Sequence, residues 1–374
     1  MPARKHTQWL AKPTVDYVDS RIYSDWDIHY EEQEKIFKKV WIPICHESEL
    51  PNHLDFRTSS IAGSKVAMIR DKERVIAFEH NFQSMPVSGN LTSDGGFDHW
   101  NCPELPCEVK FGGMVWVTLN LEPTQDVEGW AAGAFDCIGS ALDEEPLEVF
   151  HYHKGIIGSN YKLWHDTNSE FYHDYMHYFN RVTGFTEEYF ARKNIGFPNG
   201  HVNVGSFTVQ YDQFDGADAS ADRTELSFPH IPPNSWFMVD LFPGMNFNLR
   251  GSALRTDIVT PLGPNKVMIE FRGFGLKRDT PEERNTRIKH HNTIWGPFGR
   301  NLHEDLIGIQ GQGVSMAPGT EHRHILHGRK ENDTIHDEVG MRHYYHEWGE
   351  WMGRDPTNPM RENAIWENNE DAHI

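Results

Sequence analysis

The sequence predicts an α+β fold in which long helices cover one face of an antiparallel sheet, with a small β unit in front of it. Three features indicate this class: strand-like segments between residues 42 and 120, a second group of them between 148 and 275, and long helical patterns after residue 280. Strands that follow one another along the chain, with helices laid over one face, are typical of the α+β class.

The first two segments of the chain are short. Residues 1–41 are predicted to form an N-terminal helical segment, because apolar residues near its end recur at helical spacing. Residues 42–144 are predicted to form a small β unit, in which strand-like runs at 65–70 and 74–78 make a hairpin. Gly, Pro, Ser and Asn are common between residues 80 and 106, which is typical of a loop.

The third segment, residues 145–374, is predicted to hold the larger domain. Strands are predicted at 148–158, 201–212, 234–241, 244–255 and 265–275, and helices at 162–179, 280–295, 302–312 and 334–352. The helix after Thr280 has the clearest start, because Thr is a good N-cap, Pro281 suits the first turn and acidic residues follow. Helices laid over a sheet enclose apolar pockets, so this domain is where a small-molecule site is expected.

Composition narrows the classes of function. The chain has 35 basic and 55 acidic residues, a formal net charge of −20, which argues against binding to nucleic acid or to an anionic membrane. The sequence shows no signal-peptide pattern and no apolar run of membrane-spanning length. Four cysteines are too few for a disulfide scaffold in a chain of this length, so a reducing, cytoplasmic location is expected.

The most informative side chains lie between residues 160 and 177. His173 and His177 are four residues apart, and on a continuous helix this spacing places both imidazoles on one face, where they can share a metal ion. Asp166 and Glu170 would lie on the same stripe. Such a histidine pair also arises by chance on exposed helices, but the surrounding aromatic residues favour burial and therefore a metal site.

Two classes of metalloenzyme use a histidine pair of this spacing. In zinc proteases the first His is followed directly by a Glu that acts as general base. Asp174 follows His173 here, and its shorter side chain is evidence against that class. Two histidines and one carboxylate that leave open positions instead suit a non-haem Fe(II) centre.

The third metal ligand is expected from residues 296–310. Asp305 is the best candidate, and His303 and Glu304 remain alternatives. An acid near a helix start is otherwise typical of a cap or a dipole partner, so the ligand role depends on the histidine pair.

The sequence indicates the substrate less clearly than it indicates the metal ligands. Arg181, Arg250 and Arg272 are candidates for binding an anionic group such as a sulfonate or a carboxylate, although an arginine taken singly more often serves as a surface or ion-pair residue. The abundant aromatic residues either line a pocket or fill the core. The expected substrate is therefore a small organic molecule, anionic or aromatic.

On these residues the chain resembles the large (alpha) subunits of Rieske-type ring-hydroxylating oxygenases. The matching segments are residues 40–51, 160–164, 296–305 and 337–348. Glu170, His173 and His177 match the acid and the two histidines of the family's iron motif, and Asp305 falls in the segment that supplies its carboxylate ligand. Within the family, residues 107–113 and 302–313 are most similar to sulfonate monooxygenases. The resemblance covers most of the chain.

The resemblance implies a helix-grip (START-like) antiparallel catalytic domain and, before it, a Rieske-like β domain. It implies Fe(2+) held by His173, His177 and Asp305, with Glu170 as a catalytic carboxylate on the path of the incoming electron. It also implies O2 and a small-molecule substrate as reactants, and a trimer-based homo- or hetero-oligomer.

The chain departs from the family where the Rieske cluster should be bound. A [2Fe–2S] cluster of this kind needs two Cys and two His, which the family spaces as Cys-x-His and Cys-x-x-His. Neither pattern occurs between Phe78 and Cys107, and this region is shorter than in the family. The sequence therefore predicts a truncated Rieske-like domain without a cluster, and a separate Rieske or ferredoxin-type protein as electron donor.

Three functions remain open from the sequence. The favoured one is a mono- or dioxygenase that takes electrons from a cluster on a separate protein. The second is a non-catalytic or regulatory paralogue that assembles with a cluster-bearing large subunit. The third is a small-molecule binding module that uses the pocket without redox chemistry.

Overall fold

The computed structural model describes residues 17–80, 104–209, 224–320, 323–327 and 334–360. Within these ranges the predicted α+β class is confirmed, because two small sheets precede a seven-stranded antiparallel sheet that carries helices. Most of the predicted loop at 80–106 lies outside the described residues, as do the first 16 residues of the predicted N-terminal segment.

The strands are β1 (Tyr17–Asp19), β2 (Ile42–His46), β3 (Phe56–Ile61), β4 (Ser64–Asp71), β5 (Arg74–Glu79), β6 (Glu104–Leu105), β7 (Cys107–Lys110), β8 (Met114–Val117), β9 (Leu147–Ile157), β10 (Asn194–Gly196), β11 (Val202–Thr208), β12 (Ser235–Leu241), β13 (Met245–Arg250), β14 (Ala253–Gly263), β15 (Lys266–Leu276) and β16 (His324–Leu326). The α-helices are α1 (Trp26–Glu32), α2 (Val127–Ala131), α3 (Gly139–Asp143), α4 (Tyr161–Ser169), α5 (Tyr178–Thr183), α6 (Glu187–Ala191), α7 (Pro281–Trp295), α8 (Leu302–Ser315) and α9 (Val339–Met352).

The small β unit consists of two sheets, with strand orders β2-β8-β7 and β3-β4-β5-β6. The predicted hairpin is formed by β4 and β5. Successive side chains of β4 point to opposite faces, and both faces are buried: Val66 and Met68 join the main core, whereas Ala67 and Ile69 pack with the side chains of β5 in a separate cluster.

The large sheet has the order β10-β11-β12-β13-β14-β15-β9, with every neighbouring pair antiparallel. The single strand predicted at 244–255 is wrong, because the chain reverses between β13 and β14. Gly251 has a φ of +53° in this turn, and an added Cβ would lie 3.1 Å from the backbone nitrogen of Asn234. Both features favour glycine at this position.

The helices agree with prediction where their start signals are local. Helix α7 begins with the expected capping box, in which Thr280 accepts from the backbone of Glu283 and Glu283 accepts from the backbone of Thr280. Helices α8 and α9 lie close to their predicted positions. Among the described residues, no helix combines the length and the apolar character needed to cross a membrane.

The N-terminal helix is tied to the larger domain by a buried ion pair. Lys162 in α4 and Glu32 in α1 are fully buried, and Lys162 Nζ lies 2.6 Å from Glu32 Oε1. Trp348 of α9 donates to the same carboxylate oxygen at 2.8 Å. Three helices from distant parts of the chain therefore meet at one carboxylate.

Candidate metal centre

The continuous helix predicted over residues 162–179 is wrong, and its interruption shapes the site. Helix α4 ends at Ser169, and Glu170 is extended, with φ −96° and ψ 148°. The Glu170 carboxylate accepts from the backbone N–H groups of Tyr172 at 2.8 Å and of His173 at 3.1 Å. An acidic side chain that captures backbone donors in this way competes with the helix, so the chain turns here.

The two histidines consequently lie on separate elements and still converge. His173 belongs to a 3-10 turn, and His177 is the residue before α5. Their ring centroids are 5.2 Å apart. The stripe predicted from the sequence therefore does not exist. Asp166 in particular lies elsewhere, accepting hydrogen bonds from Tyr23 and Tyr345.

Asp305, in the first turn of α8, faces both imidazoles. Its Oδ1 atom lies 3.1 Å from His177 Nε2 and 3.6 Å from His173 Nε2. One nitrogen from each histidine and one oxygen of Asp305 all lie within 4.8 Å of one another. Bonds from these ligands to a metal ion are about 2.0–2.2 Å long, so the three atoms are spaced to surround one ion. Asp305 Oδ1 is also buried without a hydrogen-bond partner of suitable geometry among the described residues.

A further carboxylate lies within hydrogen-bonding distance of the Nδ1 atom of each histidine, on the side of the ring opposite the converging Nε2 atoms. His173 Nδ1 lies 2.5 Å from Glu170 Oε1, and His177 Nδ1 lies 2.6 Å from Glu304 Oε2. A carboxylate that accepts from Nδ1–H fixes the tautomer and leaves Nε2 free to bind a metal. Glu304 therefore lies behind His177 and not between the two Nε2 atoms.

His303 is the other alternative from the sequence. Its Nδ1 atom is instead hydrogen-bonded to the backbone carbonyl of Gly299, outside the group of converging ligand atoms. Two further polar side chains lie near the converging ligand atoms, and the sequence does not predict this position for either of them. Asp174 Oδ1 lies 3.9 Å from His173 Nε2, and the side-chain nitrogen of Asn301 lies 3.1 Å from His177 Nε2. Neither has a spacing signal in the sequence.

The electrostatics of the cluster favour a cation. Burial lowers the pKa of His173, but the negative charges of Glu170, Asp174 and Asp305 outweigh it and raise that pKa to about 10. Burial likewise opposes protonation of His177, and Asp305 again outweighs it, so the pKa of His177 is raised. Positive charge is thus stabilised at this position, and a divalent metal ion supplies positive charge of the same sign.

The three side chains open into a cavity between the helices and the large sheet. Its volume is about 880 Å³ including the open mouth, and its walls include residues of β11, β12 and β13. Of the arginines proposed from the sequence, Arg250 lines the cavity. Arg272 instead pairs with Glu49 at 2.9 Å and donates to the backbone carbonyl of Ile44, and Arg181 is exposed on α5.

The comparisons with known proteins agree with this geometry. The chain is 55% identical to the methanesulfonate monooxygenase hydroxylase subunit alpha of Methylosulfonomonas methylovora, over 96% of this chain and 97% of that protein. It is 32% identical to the 2-aminobenzenesulfonate 2,3-dioxygenase subunit alpha of an Alcaligenes species, over 93% of this chain and 96% of that protein. No family model matches the chain.

Solved structures support the fold independently. Naphthalene 1,2-dioxygenase from a Rhodococcus species superposes with a TM-score of 0.72 at 16% identity, covering 90% of this chain and 94% of that one. A quaternary ammonium Rieske monooxygenase gives a TM-score of 0.68 at 16% identity, covering 91% of this chain and 96% of that one. By its curated relatives the chain is an oxidoreductase of the oxygenase class, and it belongs to the large (alpha) subunits of Rieske-type oxygenases.

Proposed function

We propose that the chain is a non-haem Fe(II) oxygenase that hydroxylates a small organic sulfonate and receives its electrons from a cluster on a separate protein. Its family uses non-haem iron, works with separate electron-transfer partners and forms oligomers. The observation that carries the proposal is the convergence of His173, His177 and Asp305 in the wall of a cavity, with a carboxylate hydrogen-bonded to Nδ1 of each histidine.

The chain's own residues divide the work as follows. His173, His177 and Asp305 would hold Fe(II), and a bound Fe(II) with open positions would supply the chemistry that activates O2. Glu170 and Glu304 orient the two imidazoles. The resemblance also implies that Glu170 lies on the path of the arriving electron, and its partly exposed carboxylate beside His173 Nδ1 is compatible with that role.

The sequence supports an external electron source. None of the four cysteines is followed by His at the second or third position after it, so both cluster-binding patterns are missing. The region aligned with the methanesulfonate relative is 406 residues long, which exceeds the 374 residues of this chain, so part of the relative has no counterpart here. Residues 42–144 would then be a truncated Rieske-like domain between an N-terminal segment (1–41) and a catalytic domain (145–374).

The printed names of the two relatives support the substrate class. Both act on an organic sulfonate, one as a monooxygenase and the other as a dioxygenase. The higher identity to the first favours monooxygenation, in which one oxygen atom enters a C–H bond and the other leaves as water. Two electrons and two protons are needed for each turnover.

Dependence on a separate donor is the first test. The chain loaded anaerobically with Fe(II) should contain one iron and no acid-labile sulfide, and should not turn over methanesulfonate alone. Addition of a Rieske-type ferredoxin with its reductase should start substrate-dependent O2 consumption, and His173→Ala should abolish it.

Acid-labile sulfide in the purified chain, or absence of turnover with a donor that reduces the iron, would contradict the proposal. The non-catalytic alternative makes the opposite prediction for an assembly with a cluster-bearing large subunit, because His173→Ala in this chain would then leave the activity of the assembly intact. The same preparation should sediment as a trimer-based oligomer.

A second expected result concerns Glu304. The substitution Glu304→Gln keeps the shape of the side chain but removes the negative charge that accepts from His177 Nδ1. Loss of such a supporting carboxylate typically lowers metal affinity or activity by about 10- to 100-fold. Competition for Fe(II) with a chromophoric chelator measures the change. An affinity equal to that of the unsubstituted protein would show that Glu304 does not support the metal site.

A further inference from the structure

Two buried arginines line the same cavity as the metal-binding side chains, and the proposed function so far gives neither of them a role. Arg192 follows α6 and is 4% exposed, and Arg250 ends β13 and is 9% exposed. Arg192 Nη2 and Arg250 Nε have no hydrogen-bond partner among the described residues, and neither guanidinium forms an ion pair there. A buried charge without a partner is costly, so both groups indicate a missing anion.

Arg192 is held in place by aromatic rings. Its guanidinium carbon lies 4.2 Å from the ring centroid of Tyr189, 4.5 Å from that of Phe207, 4.8 Å from that of Phe171 and 4.9 Å from that of Trp236. Its Nε donates to the backbone carbonyl of Tyr189 at 2.9 Å. The rings orient the guanidinium and replace part of its hydration, but they offer no acceptor to its outer N–H groups.

Arg250 lies on the same face of the sheet as the rings beneath Arg192. Trp236 in β12 is directly opposite Arg250 in β13, and Phe207 in β11 is directly opposite Trp236. Directly opposite residues of antiparallel strands project to the same face. The next opposed pair on this face, Met238 and Asn248, also lines the cavity.

The surroundings do not neutralise this positive charge. The pKa of Arg192 is lowered, mainly by burial, and the charge of Arg250 contributes in the same direction, although Asp174 and Tyr189 oppose it. Asp174 is itself occupied, because its Oδ2 accepts from the Tyr189 hydroxyl at 2.6 Å. The remaining arginine of the cavity differs, since Arg255 is paired with Asp257 at 2.7 Å.

We propose that Arg192 and Arg250 form an anion subsite that binds the acid group of the substrate and leaves its carbon end facing His173, His177 and Asp305. This inference rests on the proposed function, which it deepens by naming the residues that select the substrate. The ligand is a compact organic acid, sulfonate or carboxylate. The three oxygens of a sulfonate can accept from two guanidinium groups at once, which suits two forked donors that share one cavity.

The test measures binding without turnover. Methanesulfonate, acetate and the uncharged analogue dimethyl sulfone are titrated calorimetrically, without O2, into Fe(II)-loaded protein. Arg192→Met and Arg250→Met keep most of the apolar side chain and remove the charge. Arg192→Lys keeps the charge but loses the planar guanidinium, which can donate two parallel hydrogen bonds. Arg181→Met on the exposed surface of α5 is the matched control. Iron content and circular dichroism are recorded for every variant.

The unsubstituted protein should bind methanesulfonate and not dimethyl sulfone. Each Met variant should weaken the binding by about 10- to 100-fold, as expected for the loss of a hydrogen bond between charged groups. The affinity of the Lys variant for methanesulfonate should lie between those of the unsubstituted protein and the Met variants, and the affinity of the control variant should be unchanged. Acetate binding more tightly than methanesulfonate would support the subsite while contradicting a sulfonate substrate.

Two results would overturn the subsite: iron-loaded Met variants that bind methanesulfonate as tightly as the unsubstituted protein, or equal binding of dimethyl sulfone and methanesulfonate. Failure of the unsubstituted protein to bind any acid, with its iron in place, would also overturn the subsite and the sulfonate substrate, and would leave the iron centre and its external electron donor standing. Failure to bind iron would contradict the proposed function instead.

Discussion

Replacing Asp305 by Ala is expected to lower the affinity for Fe(II) by about a hundred- to a thousandfold and to abolish turnover. Asp305 supplies the only one of the three converging ligand atoms that carries a formal negative charge, and that atom lies 3.1 and 3.6 Å from the two imidazole nitrogens. Four-ligand zinc sites bind with ~10–16 kcal/mol in total, which is about 2.5–4 kcal/mol per ligand. Removal of one ligand of three should therefore leave the site largely empty at micromolar iron.

Chelator competition and iron analysis after desalting measure this loss, and O2 consumption with the donor system measures turnover. Asp305→Asn keeps an oxygen ligand without its charge and should lie between the two extremes. Glu282→Ala, in the exposed first turn of α7, is the matched acidic control and should bind iron normally. Full iron content and turnover in Asp305→Ala would remove this residue from the site.

The largest expected effect on stability comes from Lys162→Met, which should lower the free energy of unfolding by ~3–5 kcal/mol, because it leaves the carboxylate of Glu32 buried without its cation. Both side chains of this pair are fully buried. Burial raises the pKa of Glu32, while Lys162 opposes the rise. Without Lys162 that pKa should increase further, so the carboxyl group becomes protonated in the folded state and the loss of stability should shrink as the pH is lowered.

Urea unfolding at several pH values measures both effects. The double variant Glu32→Gln/Lys162→Met removes both charges and keeps an acceptor for Trp348, so it should recover most of the lost stability. Lys38→Met, which breaks an exposed ion pair with Glu34, should cost less than about 1 kcal/mol. If Lys162→Met is no more damaging than this surface control, the buried pair does not stabilise the junction of α1, α4 and α9.

The sequence predicts those parts of the fold whose cause is local. The start of α7 follows from Thr280 and Glu283, because a capping box needs only residues three positions apart. The β4–β5 hairpin likewise follows from two alternating segments and a short turn. The strand order of the seven-stranded sheet depends on pairings between distant segments, such as β9 with β15, which no local pattern indicates.

In the metal site, too, the sequence predicts only the features that have a local cause. The spacing of His173 and His177 predicts that they converge, but a continuous helix is the wrong reason. The carboxylate of Glu170 captures two backbone donors and ends the helix, which apolar periodicity cannot register. Asp305 is the best of three candidates that the sequence offers in residues 296–310, and the family resemblance points to the same segment. Arg192 is invisible in the sequence, because its place in the cavity is set by rings from α6, β11, β12 and the loop after α4.

The measurement that tests the central claim most directly is a crystal structure of the protein grown anaerobically with Fe(II), with anomalous data collected on both sides of the iron absorption edge. We expect one iron peak bonded to Nε2 of His173, Nε2 of His177 and the carboxylate of Asp305, at about 2.0–2.2 Å from each. An iron-loaded crystal without a peak at this position, or with iron bound by other side chains, would contradict the account.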